Sequence, residues 1–447
     1  MQTWNEYGER NMLKKIRDQS LKIRKNSFFR QSLITLIFRV FGIITLFGFT
    51  VFLTKSYSPK IVGQYDFVRS FLLVVGSICL LGCDQSILYF KGRLSGSNSL
   101  EGIRKVYTKM LGLLLLMSVL FLLIFLSIDE EFINDYFFDS RVYAILLKSI
   151  MVLFFYGLTT LNTEVFRALD HFYVAELFRN TIKYIPLIVG AVLLYYSGLE
   201  TYLVEVFLAG FVLLSIVTSI IVFFYFSKAK IENEVADFTY NDIFMKSYPI
   251  AISGMALFLL MSFDILFLKK YRDDATVAFY SVAVKLMTIL SMVIITVNIT
   301  VSTKISEYFF TKSKTDLVKT IQHASRLIFL LTFPAVLIIC FFSEFILGFF
   351  GKEYVAAKDA LLILIVGQGI CSAFGTAPVY LNMTGRQHIF QIILIVAVLI
   401  NFILNRVLIP QYGMTGAATA FVISSVFWNS ITAVVIYRKD KVNVFLN

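Results

Sequence analysis

Long apolar runs separated by short polar stretches fill the chain. Each run is near the ~20 residues that a helix needs to cross hydrocarbon. The pattern predicts twelve spans, at 32–54, 67–90, 108–127, 143–165, 178–197, 203–227, 247–268, 277–301, 325–348, 360–382, 389–410 and 414–437. The runs are continuous rather than alternating, which predicts helices and excludes a spanning β-barrel. No run is short enough, or flanked suitably, to read as a cleaved signal peptide, so the first one is expected to remain as a helix.

The polar stretches then fix an orientation. With the amino terminus in the cytoplasm, the cytoplasmic segments carry about three times as many Lys and Arg as the opposite ones. "KGRLSGSNSLEGIRK" and "TKSKTDLVK" fall inside, and the acidic "SIDEEFINDYFFDSR" falls outside. Both termini are expected to be cytoplasmic. Residues 1–31 form a basic leader, either an interfacial helix on anionic lipid or a mobile tail.

Composition agrees with the pattern. Of 447 residues 58% are hydrophobic and only 16% charged, against about 25% charged in soluble domains. The formal net charge of +12 resides in membrane-flanking loops, so it reads as topology and not as a nucleic-acid surface. Cys79, Cys83, Cys340 and Cys371 all lie in apolar runs and read as packing residues. His171, His323 and His388 are scattered, and no metal-ligand spacing appears. No phosphate loop or nucleophile arrangement is visible either. No enzyme activity, metal or cofactor is therefore expected.

The chain also repeats itself. "FLTKSYSPKIVGQYDFVRSF" from Phe52 aligns without a gap on "FLKKYRDDATVAFYSVAVKL" from Phe267, pairing Leu53 with Leu268, Lys55 with Lys270, Val62 with Val277 and Tyr65 with Tyr280. The same offset sets Gly198 against Gly413. This predicts a first bundle over 32–227, a cytoplasmic linker at 228–246, a second bundle over 247–437 and a tail at 438–447. Even repeats keep their orientation, so the halves should be related by an axis along the membrane normal.

Charges inside spans are costly, at least ~2.5–3.5 kcal/mol each. Arg39 lies in the first run; it either snorkels to the inner surface or faces an aqueous interior to receive an anion. Lys285 is similarly deep in the eighth. Ser281, Thr288, Ser291, Asn298 and Ser302 recur with it near helical spacing, as cavity lining or as polar glue between helices. Arg69 is expected at the outer mouth of the second span. Asp84, Glu164 and Asp264 are candidate coupling acids, with Asp264 expected to pair with Lys285 or Lys269. Asn401 and Asn405 stand one turn apart and could pack or bind a sugar, and Pro410 is expected to end their helix. Gly416, Ala420 and Ser424 form a small-residue row suited to close helix contact.

Two stretches carry a family resemblance. "APVYLNMTGRQHIFQIILIVAVLINFILNRVLIPQYGMTGAATAFVISS" resembles the hallmark stretch of the Wzx-type O-antigen flippases, polysaccharide-biosynthesis transporters of the MATE-like, MOP superfamily. The matching residues are Leu381, Gly385, Arg386, Asn401, Asn405, Ile409, Pro410, Gly413, Gly416 and Ala417. Gly63, Tyr65, Gly82 and Asp84 fit the family's first loop and second helix. The resemblance implies an all-α membrane protein of twelve helices in two six-helix bundles around a cationic cavity. It implies a flippase that moves an undecaprenyl-pyrophosphate-linked oligosaccharide to the outer leaflet of the bacterial inner membrane for O-antigen, capsule or exopolysaccharide. Its implied partners are that lipid-linked oligosaccharide, membrane lipids, and the polysaccharide polymerase and chain-length machinery. A MATE-type multidrug antiporter or a lipid II-type flippase is the alternative; the latter branch usually has fourteen helices.

Overall fold

The computed structural model describes residues 27–94, 99–227 and 238–445. The basic leader, apart from its last residues, and most of the expected linker lie outside them.

The first half contains α1 (Ser27–Ser56), α2 (Pro59–Leu80), α3 (Cys83–Arg93), α4 (Ser99–Leu126), α5 (Glu130–Phe137), α6 (Val142–Met151), α7 (Leu153–Ala168), α8 (Phe172–Asn180), α9 (Ile185–Ser197) and α10 (Leu203–Phe226). The second half contains α11 (Tyr240–Tyr271), α12 (Asp274–Phe310), α13 (Lys314–Phe341), α14 (Ser343–Gly348), α15 (Lys358–Ser372), α16 (Ala377–Met383), α17 (Gln387–Tyr412) and α18 (Met414–Asp440). Among the described residues eleven helical spans are long and apolar enough to cross a membrane, or twelve when α6 and α7, bent by 43° at their junction, are taken as one. Chain order gives the bundle a basic-loop end, with Arg93, Lys312 and Arg386, and an acidic-loop end, with Asp129 and Asp139.

Several elements start or stop away from the apolar boundaries, for local reasons. α1 begins before position 32, at Ser27. α2 begins at Pro59 rather than 67, with proline in the first turn, where its missing N–H costs nothing. The polar Lys60, Gln64 and Asp66 hide that turn from a hydropathy reading. Thr239 and Asp242 form a capping box that starts α11 at Tyr240, so the last residues of the expected linker are helical. Pro410 does not end α17, which continues to Tyr412. The ninth run divides into α13 and the short α14, and the tenth into α15 and α16.

The halves touch at two backbone-close points. A Cβ on Gly63 would fall 1.7 Å from the Asp274 carbonyl oxygen, so only glycine lets α2 meet the start of α12 there. Gly82 has a φ of +74° at the α2–α3 break, and a Cβ there would lie 2.6 Å from the Ser247 carbonyl oxygen. The left-handed turn and the close approach both call for glycine. Beside it Ser86 and Ser247 share a 2.6 Å hydrogen bond.

α1 is attached at its middle and toward its end. Midway along it Gly42 packs on Asn180 of α8. Near its end Phe47 sits edge-on to Phe350, with centroids 5.3 Å apart, and Lys55 lies over the Phe349 ring. Beyond that contact, toward the basic-loop end, Ile37, Phe41 and Ile44 of α1 and Ile295 and Ile299 of α12 keep about half of their surface uncovered.

Candidate functional site

Three cations stand deep in their helices. Arg39 follows twelve residues of α1, Arg69 ten residues of α2 and Lys285 eleven residues of α12. At 1.5 Å per residue these positions lie ~15–18 Å from the first residue of each helix. α2 starts eight residues earlier than its apolar run, so Arg69 stands within the helix and not at its start. Arg39 points neither to the surface nor to open space alone: its Nε lies 3.5 Å from Glu176 Oε2 on α8.

Asp66 organises the other two. It is fully buried, and its Oδ1 lies 2.8 Å from Lys285 Nζ across the two halves. The same oxygen is 3.8 Å from Arg69 Nη1, one turn along α2. Arg69 and Lys285 are in electrostatic reach of the Tyr184 hydroxyl, between α8 and α9. Arg179 of α8 pairs with Glu164 of α7, which also binds Arg167 at 3.2 Å. Arg179 also lies within electrostatic reach of Arg39 and Asp84, and the ion pairs gather in three groups, on Glu176, on Glu164 and on Asp66.

Asp84 lines a small cleft of about 60 Å³ between the halves, with Gln85, Tyr156, Thr160, Gly254 and Phe258. That is room for a few waters at most. Asp84 is the charged residue of its lining; in the ion pairs on the neighbouring helices Arg39, Arg69, Arg167, Arg179 and Lys285 outnumber Asp66, Glu164 and Glu176. An arginine fork and a lysine point charge with incomplete neutralisation suit a phosphate group.

Asp264 does not pair with Lys285 or Lys269. It is buried in the second half, where Tyr280 donates to it at 2.8 Å and Asn405 donates at 2.8 Å. Asn405 also donates to Asn401 Oδ1 at 3.0 Å. Asn405 Oδ1 and Asn401 Nδ2 are buried without a hydrogen-bond partner. A lone carboxylate with a spare amide oxygen in apolar packing has what a proton or small cation would need.

The rest of the α12 stripe divides. Ser281 and Asn298 are buried, and Ser281 Oγ and Asn298 Oδ1 are unpartnered. The hydroxyls of Thr288, Ser291 and Ser302 bond back to their own helix, the usual fate of hydroxyls in spans. Arg386 pairs with Asp440 at the basic-loop end and not at the site. Cys79 lies 3.2 Å from Ser118 Oγ and serves packing.

Lys269 closes the acidic-loop end. Its buried ammonium reaches Asp139 at 2.8 Å and Asp274 at 2.6 Å, and Gln64 donates to Asp274 at 3.0 Å. Burial alone would raise the Asp139 pKa. The Lys269 hydrogen bond, the Arg141 amide and both neighbouring charges outweigh that and bring it down to about 2.

Asp66, Glu176 and Arg179 were legible only in part. Asp66 and Arg69, at i and i+3, and Glu176, Arg179 and Lys183, at i, i+3 and i+7, share helix faces. Asp66 and Glu176 lie just outside the apolar runs at 67–90 and 178–197, so a hydropathy window separates each from its basic neighbour.

Comparison with known proteins agrees with this architecture. Residues 249–407, within the second half, match the MatE family model. No curated protein matches the chain in sequence. Among solved structures, the lipid II flippase MurJ in an inward closed conformation superposes with a TM-score of 0.68 at 16% identity, over 91% of this chain and 87% of that one. An inward-facing multidrug resistance MATE family transporter of the MOP superfamily gives 0.69 at 14%, over 90% and 96%. The MATE multidrug transporter DinF-BH gives 0.64 at 16%, over 93% and 94%. At these identities the likeness is one of architecture: the chain has the two-bundle, all-helical fold of the MATE transporters and the MurJ flippase, with a MatE-type second half.

Proposed function

We propose that this protein is a flippase that carries an undecaprenyl-pyrophosphate-linked oligosaccharide from the cytoplasmic to the outer leaflet of a bacterial inner membrane by alternating access. The observation that carries the reading is the set of helix-borne cations Arg39, Arg69, Arg179 and Lys285, of which Lys285 is paired to Asp66 across the halves. A pyrophosphate is a concentrated anion, and cations held inside a span are costly unless an anion or water offsets them. With the basic-loop end cytoplasmic, Lys269, Asp139 and Asp274 hold the outer side shut. The uncovered side chains of α1 and α12 at the basic-loop end then face the inner leaflet, where a lipid-linked substrate starts. Asp264, with Asn401 and Asn405, supplies the site for a coupling proton or cation.

Deletion should leave lipid-linked repeat units on the cytoplasmic side and remove surface polysaccharide. Arg69→Gln, at normal protein level in the membrane, should fail to restore either. Full restoration by Arg69→Gln would remove the basis of the proposal. The buried Asp264 cluster also favours a second reading, a cation-coupled drug antiporter. Under that reading deletion would raise sensitivity to cationic dyes and leave the polysaccharide intact.

A further inference from the structure

A larger cavity than the inter-half cleft lies elsewhere, within the first half. It measures about 600 Å³ and runs between α4, α7 and α10, inside the ~300–1,000 Å³ range of ligand sites. Its α4 wall is one helical face, Arg104, Thr108, Leu111 and Leu115, and Phe223 and Phe226 close it from α10. Leu115 and Phe223 are 51% and 74% exposed, so the groove opens sideways toward lipid.

Its length and charge point to an occupant. From Arg104 to Leu115 is eleven residues, ~16 Å of helix, about half of the ~30 Å hydrocarbon core. The groove thus spans one leaflet, from the basic-loop interface to mid-membrane. At the interfacial end Arg104 leaves 49% of its side chain exposed, with Glu101 at 3.5 Å, and Lys105 follows it in sequence. Farther in, apart from Thr108 and the Tyr107 and Ser219 hydroxyls, the lining is aliphatic and aromatic. Tyr107 and Ser219 are already bonded to Asn162. A cationic mouth over an apolar slot one leaflet deep matches an acyl chain that ends in an anionic headgroup.

The groove also adjoins the junction of the halves. The Gly112 wall lies against the Tyr240 hydroxyl, and Lys109 donates to the Phe238 carbonyl at 2.7 Å. We infer that this groove is a resident site for one anionic phospholipid of the basic-loop leaflet, seated against the first turn of the second half. This site is separate from the proposed substrate path and does not depend on it.

Native mass spectrometry of the full chain, delipidated and then supplied with phosphatidylglycerol or phosphatidylcholine, tests the inference. One phosphatidylglycerol should be retained per chain, about fivefold over phosphatidylcholine, the preference one interfacial cation supplies. Arg104→Gln should erase that preference. Leu115→Trp should plug the slot and abolish retention, whereas Leu116→Trp, on the neighbouring 64%-exposed position, should not. Equal retention of both lipids, retention unaffected by Leu115→Trp, or equal losses in both tryptophan variants would overturn the assignment. Displacement of phosphatidylglycerol by equimolar undecaprenyl phosphate would overturn it too, by making the slot a prenyl-chain site.

Discussion

Asp66 and Lys285 join the two halves through an ion pair with little access to solvent. Removing one member leaves the other charge buried and unpaired, at a cost of ~3–5 kcal/mol. Lys285→Met alone should therefore lower the thermal midpoint and transport together. Asp66→Leu combined with Lys285→Met should recover most of the stability, because an apolar pair can replace a buried ionic one. If Lys285 receives substrate phosphate, the double variant stays inactive; recovered transport would assign the pair a structural role only. Asp264→Asn keeps the side chain's shape but leaves one accepting oxygen where Tyr280 and Asn405 now use two, so a modest fall in thermal midpoint is expected. The same substitution should make transport in vesicles insensitive to an imposed proton or cation gradient. An unaltered gradient response would remove Asp264 from coupling.

At the scale of elements, the two glycines that let the halves touch mark opposite ends of α2. Gly63→Val places methyl groups where the Asp274 backbone now stands and should hold the acidic-loop end ajar. A cysteine at buried Ser281 would then gain labelling by an impermeant maleimide from that side, while a Gly82→Val chain should show no such gain. Helix number, and the repeat that sets Gly198 and Gly413 at the ends of α9 and α17, were legible in the runs and spacing. Helix starts were less so. Pro59, Thr239 and Asp273 begin α2, α11 and α12 through proline placement and capping, and these signals sit in polar turns that hydropathy discounts. For that reason Arg69 reads as the start of a span in the sequence, whereas ten residues of α2 precede it in the structure. The pairing of Asp264 with asparagines was not legible at all, because it joins positions more than a hundred residues apart.

For the molecule as a whole, the Lys269 clasp decides how the acidic-loop end responds to pH. Asp139 titrates near 2, below the ordinary carboxylate value of ~3.9. Its contribution is thus complete above the unfolded value and is lost only as pH falls through about 2. Spin labels at Ser140 and Lys352, on either side of that end, should keep one distance distribution from pH 8 to pH 5. Lys269→Gln should broaden it at every pH. A broadening in the native chain between pH 7 and 5 would mean that another group controls the closure.

The uncovered faces of α1 and α12 have one more consequence. A molecule that enters along them need not be swallowed whole: its greasy anchor can trail in the surrounding oil while only its polar cargo threads the interior. Turnover should then be indifferent to the number of isoprene units and sensitive to the number of sugars, so that a shortened prenol with the same glycan travels as fast as the natural one.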